Sequence, residues 1–307
     1  MSGALYIDPS FGDQERRELL YAGEIISYSA RPAVIAFCEF ARQMIEQEFA
    51  SLDPRTAQHT MPVEQFAERL NRLKPAFIHH PESKRHVGAL LIELGCDPEK
   101  TYFDVPRLRS STSDNYLTTG IAYAWHPHRD TWYSAPACQI NWWLPVYEIS
   151  ANNAMAFHPR YFDRGVVNTS SEYNYYEWNR VHRGAHVASY TKADPRPLPR
   201  ATETVELEPQ LRVLLPVGGV MAFSGAQMHS SVPNTSGVTR YSIDFRTVNV
   251  DDARARRGAP NVDSACTGTT MRDYLRVSDL ANVPEDVILL HDDNSGNRGV
   301  LAYAPAG

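Results

Sequence analysis

The chain has 307 residues, of which 43% are apolar and 21% charged, and a formal net charge of −6. This composition is typical of a globular protein with a substantial core and excludes disorder over the full length. The acidic balance lacks the basic excess that binds nucleic-acid backbones or anionic membrane surfaces, so neither partner is expected.

The first 97 residues are predicted to be helical. Apolar residues between Phe37 and Phe49 recur at intervals of three and four, and polar side chains occupy the other positions. A second helix is predicted over Val63–Leu73, ending before Pro75, and a third over Ser83–Leu94.

Residues 98–250 instead contain short β-rich runs separated by turn residues. Many short strands without long helices between them favour an antiparallel sandwich or barrel over a parallel sheet. The predicted strands are Tyr102–Leu108, Tyr116–Trp125, Ala137–Val146, Ala154–Phe157, Thr204–Leu207, Leu211–Leu215, Val220–Phe223 and Arg240–Val248.

A long insertion, residues 158–200, interrupts the strands and is rich in Tyr, Asn, Arg and Pro. Loops of this length inside a compact domain are usually functional, so we predict a lid.

Residues 251–307 form a C-terminal extension with a short helix predicted near Met271–Leu280. The whole chain, residues 1–307, is predicted to be one domain. No apolar run is long enough to span a bilayer and the N-terminus lacks the pattern of a signal peptide, so a cytoplasmic location is predicted.

Two residues in the run Trp-His-Pro-His-Arg-Asp, His128 and Asp130, are candidate metal ligands. On a strand, side chains two residues apart leave the same face. Two histidines and one carboxylate on one side of a metal, with the other side open, are typical of non-haem iron(II) oxygenases. The pair alone is a weak signal, because a second one at His291 and Asp293 is predicted to be a solvated turn.

A downstream segment supplies the rest of the candidate site. His229 is the expected third ligand, and Arg240 follows it by eleven residues in a run whose polar and apolar side chains alternate. An inward-facing polar strand face is costly unless the interior is a binding site. The Arg240 guanidinium there would hold a carboxylate through paired hydrogen bonds.

These segments resemble the phytanoyl-CoA dioxygenase-like branch of the iron(II)- and 2-oxoglutarate-dependent oxygenase superfamily over about residues 120–250. The resemblance implies a mainly β fold with α, in which the N-terminal helical region packs on a double-stranded β-helix (jelly-roll, cupin-like) core. It implies iron(II) on the two histidines and Asp130, 2-oxoglutarate held by Arg240, and O2 as the oxidant. Ser231 and Trp143 would line the cosubstrate pocket. The matching residues are His128, Asp130, Trp143, Asn153–Pro159, Gly219–Gly225, His229, Ser231, Asn234 and Arg240.

The activity implied is hydroxylation or desaturation of an unactivated C–H bond in a small metabolite or natural-product intermediate, with release of succinate and CO2. Related halogenases carry Gly or Ala at the position of Asp130, so its carboxylate argues against halogenation. Two alternatives remain open. One is a cupin-type dioxygenase that uses His126, His128 and His229 without 2-oxoglutarate, and the other is a non-catalytic jelly-roll binding module.

The sequence leaves the substrate and the oligomeric state unspecified. Arginines in the lid favour a small-molecule partner with an anionic group. Candidate substrate contacts are His126, Tyr176, Arg183 and Arg246.

Overall fold

The computed structural model describes residues 4–122, 125–183 and 187–292. Its N-terminal part contains strands as well as the predicted helices. Strands β1 and β2 pair in parallel and extend a sheet formed by the later strands. They were missed because short apolar runs such as Ile25–Tyr28 carry no distinguishing periodicity. The N-terminal elements are β1 Leu5–Ile7, α1 Asp13–Tyr21, β2 Ile25–Tyr28, α2 Pro32–Phe49, α3 Val63–His79 and α4 Pro81–Glu93.

Helix α3 continues through Pro75, so the prediction that it ends before this residue is wrong. Proline removes one backbone hydrogen bond from a helix. The helix nevertheless continues because Phe77, beyond the proline, is fully buried and stacks on Phe37 of α2, with ring centroids 5.8 Å apart. Tertiary packing outweighs the local preference here.

The remaining elements form two sheets and short helices. They are β3 Thr101–Phe103, β4 Arg107–Ser111, β5 Ile140–Pro145, β6 Met155–Phe157, α5 Tyr175–Val181, β7 Leu211–Val213, β8 Val220–Ser224, β9 His229–Ser231, β10 Arg240–Asn249, α6 Val250–Arg254, β11 Leu275–Arg276 and α7 Glu285–Ile288. The large sheet has the order β1-β2-β8-β5-β10-β3-β11, with β4 also paired to β10, and the small sheet has the order β7-β6-β9.

The chain passes repeatedly between these two sheets. After β4 in the large sheet it reaches the small sheet at His128, which pairs with β9, and then returns to the large sheet as β5. Strands β6 and β7 lie in the small sheet, β8 in the large, β9 in the small and β10 in the large. This alternation is a double-stranded β-helix, so the predicted fold class is confirmed. Among the described residues the sheets stay separate and form a sandwich.

Several predicted elements are wrong. The run Tyr102–Leu108 is two strands divided near Pro106, since proline cannot donate to a ladder. In Tyr116–Trp125, the residues up to 122 form turns that bond to the lid, and residues 123–124 lie outside the described part. Residues 204–207 form no strand. Instead of a helix, Met271–Leu280 contains the end of a 3-10 turn followed by β11. The division into regions of one domain stays a prediction.

Packing separates the two faces of the large sheet. On one face Trp142, Tyr241 and Phe245 join an apolar core with α2, α3 and α4. On the other, Trp143 packs with residues of β6, β7 and β8 between the sheets. Side chains alternate along β10, so its polar positions point toward the small sheet, where the candidate site lies. No helix among the described residues is long and apolar enough to cross a membrane.

We expect Phe37→Ala to lower the free energy of unfolding by about 3–5 kcal/mol, because it leaves a cavity in the fully buried helix–sheet core. Chemical denaturation monitored by circular dichroism measures the change. Gln43→Ala, at an exposed position of the same helix, is the control and should change stability by less than about 0.5 kcal/mol. Equal effects of the two substitutions would contradict this packing.

Candidate metal centre

His128, Asp130 and His229 converge in the structure, and their ligand atoms all lie within 4.8 Å of one another. The two histidines are opposite each other, and each backbone N–H donates to the other's carbonyl at 3.0 Å. Asp130 begins a 3-10 turn, Asp130–Tyr133, so it does not share a strand with His128 as predicted. The turn, not the pleat of a strand, brings the carboxylate to the imidazoles.

Backbone carbonyls orient both imidazole rings. The Nδ1 of His128 bonds to the His126 carbonyl at 2.7 Å, and the Nδ1 of His229 bonds to the Gln227 carbonyl at 2.9 Å. Because a carbonyl only accepts, each Nδ1 carries the proton and each Nε2 offers a lone pair. These Nε2 atoms lie 3.6 and 3.9 Å from the Asp130 Oδ1.

The electrostatics of the three side chains suit a divalent cation. Burial, and then the neighbouring His229, lower the pKa of His128 to about 3. Burial also lowers the pKa of His229. Burial raises the pKa of the Asp130 carboxyl, but Arg246 and the two histidines outweigh this and hold it below its usual value. At neutral pH the group therefore presents two neutral nitrogens and one carboxylate, a set that binds non-haem iron.

The second carboxylate oxygen of Asp130 is held by residues outside the triad. Its Oδ2 accepts hydrogen bonds from the Gln139 amide at 3.0 Å and the Arg246 Nε at 3.2 Å. The Tyr274 hydroxyl donates to the Gln139 Oε1 at 2.7 Å, which fixes the direction of the amide. These contacts leave Oδ1 facing the histidines. No motif in the sequence indicated Gln139, since a single amide is not diagnostic.

Arg240 is buried nearby and forms no ion pair with any residue that the structure describes. Its guanidinium donates to the Asn153 carbonyl at 2.9 Å and to the Ser231 hydroxyl at 3.4 Å, and it lies 5.7 Å from the Trp143 ring. Its Nε has no partner, and within the described ranges no carboxylate lies within 4.0 Å. Burial lowers its pKa to about 10. A buried cation without an anion is costly, so the site is complementary to an anionic ligand.

One cavity of about 380 Å³ contains both the triad and Arg240. Trp143, Ser231 and Arg246 line it, as does Arg183 from the lid. The structure therefore brings together the predicted ligands, the predicted cosubstrate contacts and two of the four predicted substrate contacts.

The other two candidate substrate contacts lie elsewhere. Tyr176 is buried against the C-terminal segment, where its hydroxyl donates to Asp292 at 2.9 Å and accepts from Arg272 at 3.3 Å. The His126 side chain is exposed, and only its backbone carbonyl serves the site. Neither side chain lines the cavity among the described residues. The spacing of residues in the sequence could not reveal these side-chain positions, because the direction of each side chain depends on the local turn.

The predicted lid contributes one wall of the cavity. Tyr173, Trp178, Arg196 and Leu198 line it together with Arg183, and residues 184–186 lie outside the described part. Helix α5 begins at the side chain of Asn174, which accepts from the N–H groups of residues 176 and 177. The insertion therefore holds aromatic and cationic side chains over the site. Its role as a lid stays a prediction.

No protein-family model and no curated protein matches the chain. Among solved structures, EvdO2 from Micromonospora carbonacea var. aurantiaca, complexed with 2-oxoglutarate, is 13% identical; 78% of this chain and 92% of that chain align, with a TM-score of 0.43. The epimerase SnoN, in complex with Fe3+, α-ketoglutarate and a nogalamycin compound, is 14% identical over 78% and 85% of the chains, with a TM-score of 0.39. AviO1 from Streptomyces viridochromogenes is 14% identical, and the alignment covers 83% of this chain and 100% of that chain, with a TM-score of 0.39.

Similarities this distant assign no activity to the chain. The narrower resemblance to the phytanoyl-CoA dioxygenase-like branch is not confirmed by them.

Replacing Gln139 with methionine should weaken divalent-metal binding about 10- to 100-fold, because Asp130 loses a hydrogen bond that orients it. Titration of the metal-free protein with Co(II), followed by visible absorption, measures the affinity. Gln43→Met, on the exposed face of α2, should bind like the wild type. An unchanged affinity for Gln139→Met would show that the Asp130 carboxylate does not depend on this contact.

Proposed function

We propose that the protein is an iron(II)- and 2-oxoglutarate-dependent oxygenase, with His128, Asp130 and His229 as the metal ligands and Arg240 as the cosubstrate anchor. The observation that carries this proposal is the buried Arg240 guanidinium, which forms no ion pair with a described residue and shares a cavity with a two-histidine, one-carboxylate cluster. A group of metal-ligand side chains alone fits many functions. Such a group beside a buried cation fits a ligand that has both a metal-chelating end and a distant carboxylate.

The donor set fits iron(II). Imidazole nitrogen and carboxylate oxygen both bind this ion, and three protein ligands leave positions for other groups. The cluster includes no cysteine. Neutral imidazoles and an ionised Asp130 are the protonation states that metal binding requires, so binding would displace few protons.

The surroundings of Arg240 fit the distal carboxylate of 2-oxoglutarate. The guanidinium has an unused Nε–H, and the Ser231 hydroxyl beside it can donate a further hydrogen bond. Trp143 and the apolar residues between the sheets exclude water around this pair. A charge-assisted hydrogen bond in such surroundings is stronger than one in water.

When bound, iron(II) and 2-oxoglutarate would supply the oxidising chemistry: O2 and 2-oxoglutarate would be consumed with release of succinate and CO2, and the oxygen atom not taken up by succinate would enter a substrate C–H bond or, in desaturation, leave as water with two substrate hydrogens. The residues of this chain bind and orient the reactants. Gln139 and Arg246 hold Asp130, and backbone carbonyls hold the two histidines. The lid side chains Tyr173 and Trp178 cover the cavity and limit the access of water.

We further propose hydroxylation or desaturation of a small-molecule metabolite or natural-product intermediate as the outcome, because Asp130 occupies the position that halogenases leave open. The alternative three-histidine site is disfavoured, since the His126 side chain is exposed and outside the cluster. Membership of the superfamily is part of the same proposal.

Asp130→Ala should abolish binding of one equivalent of Fe(II), because it removes the only carboxylate in the cluster. Anaerobic equilibrium dialysis measures the stoichiometry. His126→Ala is the matched control and should still bind one equivalent. A loss of iron in His126→Ala with retention in Asp130→Ala would instead support the three-histidine site. Retention in both would mean that the metal binds elsewhere.

Arg240→Met should weaken 2-oxoglutarate binding to the iron-loaded protein about 10- to 100-fold, the worth of a hydrogen bond to a charged group. Anaerobic calorimetric titration measures this, and iron binding itself should be unchanged. Arg254→Met, at an exposed position of α6, controls for the loss of a positive charge. Wild-type succinate release by Arg240→Met would exclude this anchoring role.

A further inference from the structure

Besides Arg240, a second cation that forms no ion pair with a described residue lies in the same cavity. Lys74 of α3 lines it and donates a hydrogen bond from its Nζ to the Ile121 carbonyl. Within the described ranges, Lys74 has no carboxylate within 4.0 Å. Burial, and then the neighbouring Arg109, lower the pKa of Lys74 to about 7. The cavity therefore disfavours this positive charge unless an anion compensates it.

Asp244, the carboxylate that acts electrostatically on Lys74, already pairs with other cations. Asp244 accepts from the Arg109 Nε at 2.6 Å and pairs with an Arg246 nitrogen at 2.8 Å. One negative charge thus serves two guanidinium groups and has little capacity to neutralise Lys74. Arg246 in turn contacts Asp130 at 3.2 Å. A continuous series of ion pairs runs from Arg109 to the candidate metal centre.

The charge of the whole cavity has the opposite sign to that of the protein. Seven lysine and arginine side chains and four carboxylates, all aspartates, are among its described lining residues, and one of the seven, Arg196, pairs with Asp194 behind the lining. A positive excess remains, whereas the chain as a whole carries a net charge of −6. Iron(II) and the dianionic 2-oxoglutarate cancel each other, so the positive excess remains after both bind. Clefts lined by one sign of charge concentrate ligands of the other sign.

Aromatic side chains form the neighbouring surface. Trp125 lies 5.7 Å below the Arg109 guanidinium, and Tyr133, Tyr173 and Trp178 also line the cavity. Tyr133 and Tyr173 meet edge to face, with ring centroids 5.5 Å apart. Such a surface suits a planar apolar body, while the cations suit a charged substituent on it.

We propose that Lys74 and Arg109 bind an anionic group of the substrate, which places the substrate among small apolar or aromatic acids that carry a carboxylate or a phosphate. As a substrate assignment this rests on the proposed oxygenase function. Binding at the subsite itself does not require metal. Lys74 is the cation that the substrate anion neutralises, and Arg109 links that anion through Asp244 and Arg246 to Asp130.

The test compares two fluorescent probes of the same aromatic framework on the metal-free protein: 8-anilino-1-naphthalenesulfonate and its uncharged analogue N-phenyl-1-naphthylamine. The wild type should bind the sulfonate about tenfold more tightly or better, as expected for a charged hydrogen bond. Lys74→Met should abolish this preference without changing affinity for the neutral probe. Lys74→Arg should retain it, and so should Lys84→Met, whose lysine lies outside the cavity.

Competition by 1-naphthoate and 1-naphthyl phosphate then distinguishes a carboxylate from a phosphate as the preferred anion. Equal affinity of the wild type for the two fluorescent probes would overturn the proposal. So would loss of the preference in Arg240→Met but not in Lys74→Met, because the anion would then bind at the cosubstrate anchor. Because no iron is present, these results stand whether or not the protein proves to use 2-oxoglutarate.

Discussion

The paired backbone hydrogen bonds between His128 and His229 are the contact on which the rest of the site depends. They attach a segment without regular strand structure to the small sheet and place two imidazoles, 101 residues apart in sequence, with their ring centroids 4.4 Å apart. Each ring then needs only a carbonyl two residues earlier to fix its tautomer. Because main-chain atoms do this work, the geometry of the nitrogen donors is independent of most neighbouring side chains.

Strand β10 imposes the second constraint, since its two faces lie in different environments. Tyr241 and Phe245 pack against the helices, while Arg240, Asp244 and Arg246 face the space between the sheets. Buried charges are tolerated only when each has a partner. Arg246 and Asp244 pair with each other, whereas Arg240 has no ion-pair partner in the part of the chain that the structure describes. The same strand thus combines a closed structural ion-pair network with a cation that is left for a ligand.

The pattern of short strands and turn residues was sufficient to predict an antiparallel sandwich or barrel, and the family resemblance added the jelly-roll core. The sequence also indicated the three candidate metal ligands. In the structure, however, a 3-10 turn and not a strand brings Asp130 close to His128. Gln139 was missed since its role depends on contacts with Asp130 and Tyr274 that no local pattern encodes. The side chains of Tyr176 and His126 lie outside the described lining of the cavity for a related reason: proximity in sequence to a site does not determine where a side chain points.

The contact from Tyr274 to Gln139 has a consequence for how the protein is made. Tyr274 lies beyond β10, between it and the short strand β11, yet through Gln139 it orients a metal ligand at position 130. During synthesis, the three ligand residues are added to the chain before Tyr274. The support of Asp130 through Gln139 is therefore complete only once residue 274 has been added and the sheet has formed around it.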